Sequence, residues 1–117
     1  MPMLIRNRVQ QGVVVFDIEG EIRRTEAVEK SLHEAVKEEL ERGRSDVVLN
    51  FRRVPFVDSF GIGELLASYS SVQNMGGRFK LAEVPAKIRL ILEITKLTTV
   101  LELFDSVDAA VASIRNA

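Results

Sequence analysis

The chain contains no cysteine and a single histidine, His33. The first absence removes disulfide frameworks and thiolate metal sites. The second leaves little from which to assemble an imidazole general base. There is also no excess of one charge: sixteen basic residues face seventeen acidic ones, a net charge of -1. Nucleic acid and anionic membrane surfaces both favour a basic excess, so neither is expected as a partner. Long apolar runs are missing too, none approaching the roughly 20 residues that span a bilayer. The opening Met1-Pro-Met-Leu-Ile-Arg-Asn-Arg8 lacks the apolar core and small-residue cleavage site of a signal peptide. The cytoplasm is the expected location.

What is present fits one soluble domain over residues 1–117. Its 46% hydrophobic and 28% charged residues are ordinary for a globular chain able to build its own core. Leu4 to Val9 alternates as a half-exposed strand, and Gln10-Gln11-Gly12 turns it into a second strand over Val13 to Glu19. There Val14, Phe16 and Ile18 share one face. Asp17 and Glu19 share the other and, with Glu21, read as an outward strand edge. Thr25 is the expected cap of a first helix, with Val28, Leu32, Ala35, Val36 and Leu40 as its apolar stripe. Its charged residues, Glu39 among them, read as a solvated face, and Gly43 as the helix stop. Asp46 to Phe51 reads as a central parallel strand. A second helix opening at Asp58-Ser59 carries Ile62, Leu65, Leu66, Tyr69 and Val72 inward.

Gly76-Gly77 ends that helix, and a fourth strand follows over Arg78 to Ala82. Pro85 starts a third helix that buries Ile88, Ile91, Leu92 and Leu97. A short strand over Val100 to Phe104 precedes a last helix capped at Asp105-Ser106. The order ββαβαβαβα predicts an α/β fold with a mixed, mainly parallel sheet and right-handed crossovers. With successive strands side by side, the helices lie chiefly on one face. The strand patterns at 13–19 and 78–82 point the same way, with one face covered and the other polar.

The stretch Asn50-Phe-Arg-Arg-Val-Pro-Phe-Val-Asp-Ser-Phe-Gly-Ile-Gly-Glu-Leu-Leu66 concentrates the unusual features. Ser59 is expected at an exposed helix start, either as an ordinary N-cap or as a group available for modification. It is not in a G-x-S-x-G elbow, and no general base accompanies it, so a serine hydrolase is disfavoured. Gly61-Ile62-Gly63 lacks the third glycine of a dinucleotide fingerprint and the Lys-Ser/Thr of a P-loop. These glycines allow close approach, whether of the helix to a strand or of a partner to the helix. Arg52 and Arg53 are either solvated or meet an acidic partner. No cluster has metal-ligand spacing, and no catalytic residue, metal or cofactor is expected.

Over nearly its whole length the chain resembles the STAS domain family, in particular the stand-alone bacterial anti-sigma factor antagonists. The resemblance rests on Val47 to Leu66, with its Asp58-Ser-x-Gly-x-Gly63 motif. Gly20-Glu-Ile22, Gly76 to Leu81, Val84 to Leu97 and Phe104 to Ala110 support it. It implies a non-enzymatic partner switch. The antagonist binds an anti-sigma factor that is also a serine kinase, and phosphorylation of Ser59 releases it. A PP2C-type phosphatase restores it. The implied docking surface is Asp58, Ser59, Phe60, Gly61, Ile62 and Gly63, with Glu21 and Arg23 beside it. This chain departs from the family's common residues at Phe60 (often Ser or Thr), Asn50 (often Asp) and Arg23 (commonly Asp). A non-catalytic STAS subunit of a stressosome or a lipid-transport ATPase complex is the alternative that the resemblance leaves open.

Overall fold

The computed structural model describes residues 3–24 and 30–116. Strand β1 (Leu4–Gln10) pairs antiparallel with β2 (Val13–Glu19) across a tight turn at Gln11 and Gly12. Both turn residues have positive φ, 52° and 82°, as a two-residue hairpin requires. The chain then alternates α1 (Leu32–Glu41), β3 (Val47–Arg53), α2 (Ser59–Asn74), β4 (Phe79–Ala82) and α3 (Ala86–Ile94). A short 3-10 turn at Leu97–Thr99 follows, then β5 (Glu102–Phe104) and α4 (Val107–Arg115). The strands lie in sequence order, and all pairings after the first are parallel. This is the expected mixed α/β topology.

The main core lies under three of the four described helices. Val14, Phe16 and Ile18 of β2, with Leu49 and Phe51 of β3, pack against Leu32 and Val36 of α1, Leu65 and Val72 of α2, and Leu92 of α3. The opposite face is not simply polar, as the alternation implied. Val13, Val15, Val48 and Ala82 are buried there beneath Val107, Ala110, Val111 and Ile114 of α4. Strand β2 therefore changes character along its length, apolar on both faces at 13–15 and polar on one face from Asp17 onward. Helix α4 covers only the first part.

Several local expectations are corrected. Helix α1 is capped by Ser31, whose hydroxyl accepts the Glu34 amide while Glu34 reaches back to the Ser31 amide. Thr25 and Val28 fall outside the described residues. Glu39, expected in solvent, is 2% exposed and bonded to Arg42 and Asn7, with Arg44 at 3.5 Å. Ile91 is 40% exposed rather than buried. Strand β5 starts at Glu102 rather than Val100 because the amides of Val100 and Leu101 bond back to the Leu97 carbonyl of the 3-10 turn. Strand β2 is interior to the sheet, so Asp17 and Glu19 are not at its edge.

Candidate functional site

Strand β3 delivers the chain to the end of the sheet, where the loop after Arg53 is stitched to the segment following β2. Gly20 donates its amide to the Arg53 carbonyl (3.0 Å), Ile22 to the Phe56 carbonyl (3.0 Å), and Asp58 to the Ile22 carbonyl (3.2 Å). Buried Ile22 and Val57 form a bridge between the segments. The entry to α2 is thus held by backbone bonds and two buried side chains. Ile22 and Val57 lie within the stretches that carry the family resemblance and Arg24 lies in none, but the bracing role of all three arises only when residues 20–24 lie beside residues 56–58.

The cap of α2 is Asp58, not Ser59. Asp58 has extended backbone, and its Oδ1 accepts the Gly61 amide at 2.8 Å. Its Oδ2 accepts the Arg24 amide at 3.0 Å, so one carboxylate ties both segments. Partial desolvation of Asp58 opposes ionisation. The hydrogen bonds from Gly61 and Arg24, with the nearby Arg23 charge, outweigh it and hold the carboxyl below its ordinary pKa. Ser59 is the first helical residue and is exposed. Its hydroxyl is therefore presented on an ordered helix start without serving as the cap.

The remaining expected residues divide between surface and packing roles. Phe60 is 36% exposed and lies against the Arg24 guanidinium, 5.2 Å from ring centre to Cζ. Glu21 and Arg23 form an exposed ion pair at 3.4 Å. A cavity of about 210 Å³ lies beside them, lined by Glu21, Arg23, Leu32, Phe60 and Glu64 among others. Ile62 instead packs partly buried against the main core. Gly61 and Gly63 differ sharply. A Cβ on Gly61 would lie 2.2 Å from the Ile22 carbonyl oxygen, whereas one on Gly63 would meet nothing within 4 Å. Close packing explains only the first glycine.

His33 does not serve Ser59. Its Nε2 is 2.8 Å from the Ser71 hydroxyl, linking α1 to α2. At 1.5 Å rise per residue, Ser71 is roughly 18 Å along α2 from Ser59. Among the described residues no group of three or more His, Asp or Glu is placed to hold a metal. No described helix is long and apolar enough to cross a membrane.

The STAS domain model matches residues 5–110, and the chain belongs to the STAS domain family. A relative named anti-sigma F factor antagonist, from Paenibacillus polymyxa, is 23% identical over 108 residues, covering 91% of this chain and 90% of the relative. Among solved structures, an anti-sigma factor antagonist from Mycobacterium paratuberculosis superimposes with a TM-score of 0.82 at 21% identity, over 97% of this chain and 95% of that one. The Bacillus cell fate determinant SpoIIAA has the same fold. Its unphosphorylated form matches with a TM-score of 0.74 at 21% identity, covering 97% of this chain and 100% of that one. Its phosphorylated form gives 0.72 at 22%, covering 96% and 100%.

Proposed function

We propose that this protein is an anti-sigma factor antagonist whose binding is switched by phosphorylation of Ser59. The observation that carries the reading is the division of labour at the start of α2. Asp58 supplies the cap and the tie to Arg24, leaving Ser59 exposed on a helix start that does not depend on its hydroxyl. A phosphate at that position sits beside helix amides and the positive end of the dipole, which tolerate a dianion. It adds roughly -1.5 to -2 charges to the surface formed by Asp58, Phe60 and Gly63. A partner fitted to the unmodified surface then meets bulk and repulsion, with no change of fold.

The names of the relatives and the two known phosphorylation forms of SpoIIAA support this reading. The partner is an anti-sigma factor that is also a serine kinase, and a PP2C-type phosphatase resets the switch. The protein itself performs no catalysis. Phe60, held against Arg24, and Arg23, paired with Glu21, would shape which kinase fits. Incubation with that kinase and ATP is expected to label the wild type and leave Ser59→Ala unlabelled. Label retained on Ser59→Ala would refute the assignment. An unlabelled wild type would favour a constitutive scaffold role instead.

A further inference from the structure

The part of the sheet that α4 leaves uncovered carries a feature with no place in the switch. A groove of about 380 Å³ crosses β1, β2 and β3 there, lined by Arg6, Arg8, Asp17, Glu19, Arg52 and Arg53 among others. Four of its lining residues are arginines, in a chain whose net charge is -1.

Among the described residues, only Arg8 of the four is paired directly with a carboxylate of the groove. Arg8 grips Asp17 through Nε at 2.7 Å and a terminal nitrogen at 3.3 Å, and its other terminal nitrogen donates to Gln10 at 3.0 Å. Asp17 also accepts from Asn50 at 2.8 Å, so both of its oxygens are engaged. The Arg8 bond, added to that from Asn50, outweighs desolvation and keeps Asp17 below the ordinary carboxylate pKa. Among the described residues, no carboxylate lies within 4.0 Å of the charged nitrogens of Arg6, Arg52 or Arg53. The remaining lining carboxylate, Glu19, offsets one of these three charges.

The backbone is shaped to gather them. Adjacent residues of a strand normally point to opposite faces, yet Arg52 and Arg53 line one groove. Asp17 pairs with Asn50 and Glu19 with Arg53, so β3 carries one extra residue at this point. Such a bulge re-aims side chains. Clustered like charges oppose folding unless an anion offsets them.

We propose that this groove binds a small polyanion bearing two or more phosphate groups. Guanidinium groups match phosphate oxygens through paired, charge-assisted hydrogen bonds. The engaged Arg8–Asp17–Asn50 set forms a fixed floor, and Arg6, Arg52 and Arg53 close on the ligand. This site does not depend on Ser59.

Calorimetric titration of the full chain with tripolyphosphate at constant ionic strength tests the proposal, alongside side-chain Nε–H NMR spectra. Saturable binding that shifts the Arg6, Arg52 and Arg53 signals is expected, roughly tenfold weaker for each arginine replaced by glutamine. Ser59→Ala should bind as the wild type does. The unliganded double variant Arg6→Gln/Arg52→Gln should melt no lower than wild type, because like charges have been removed. A lower melting temperature would contradict the repulsion argument. No saturable binding, binding retained by the double variant, or binding lost in Ser59→Ala would each overturn the proposal. A stronger response to a hexaglutamate peptide than to tripolyphosphate would overturn it in favour of an acidic protein segment.

Discussion

The carbonyl oxygen of Ile22 occupies the space that a side chain on Gly61 would need, 2.2 Å from where its Cβ would stand. The same oxygen accepts the amide of Asp58, so it has little freedom to move aside. Gly61→Ala is therefore expected to destabilise the protein by roughly 1–3 kcal/mol, as overpacked sites do. Gly63→Ala meets open space and should stabilise the helix by up to about 1 kcal/mol. Denaturant melts of the two variants separate these opposite effects. If the proposed switch holds, Gly63→Ala is also expected to weaken binding of the kinase despite its greater stability, since it places a methyl group on the proposed docking face.

Asp58 links the cap of α2 to the segment after β2, and Asp58→Ala should cost about 1 kcal/mol for the cap. The dependence on pH has a definite sign. Because the folded-state pKa is below the unfolded one, the ionised carboxylate contributes stability above the ordinary carboxylate pKa. That contribution is lost as pH falls through the depressed folded value. Asp58→Asn retains an acceptor without the charge, so wild type should be favoured near neutrality and the gap should shrink in acid. Melting temperatures of both proteins from pH 7 down to pH 3 test this. A gap independent of pH would contradict it.

Glu39 illustrates an asymmetry in a partly buried ion cluster. Its side chain is 3% exposed, while those of Arg42 and Arg44 are 65% and 50% exposed. Removing both arginines strands a buried carboxylate, whereas removing the carboxylate leaves two arginines that water can solvate. Arg42→Ala/Arg44→Ala should therefore be more destabilising than Glu39→Gln, by a margin of roughly 1 kcal/mol or more. Chemical denaturation of both variants would reveal the order. The reverse order would show that Glu39 matters through packing.

The order of elements was legible because each boundary has local chemistry: the Gln11-Gly12 turn, Gly43 after α1, Asp58 before α2, Ser106 before α4. Two features were less accessible. Ser31 and Glu34 form a capping box visible in the sequence, yet Thr25 also fits a helix-start pattern. The burial of Val13 and Val15 under α4 depends on where a distant helix docks, which alternation within one strand cannot encode. At the candidate site, Asp58, Ser59 and the two glycines stood out by motif. The different duties of those glycines, and the bracing by Ile22 and Arg24, required the fold. Arg52 and Arg53 likewise read as either solvated or facing an acidic partner, and only the sheet shows that β1 places Arg6 and Arg8 in the same groove.

The proposed switch is tested most directly by titrating the kinase with unmodified protein and with protein carrying phosphoserine at position 59, each first shown folded by its NMR spectrum. The phosphorylated form should keep the same fold and bind markedly more weakly, with Ser59→Asp between the two because aspartate carries less charge than a phosphate. Equal affinity of the two forms would contradict the account.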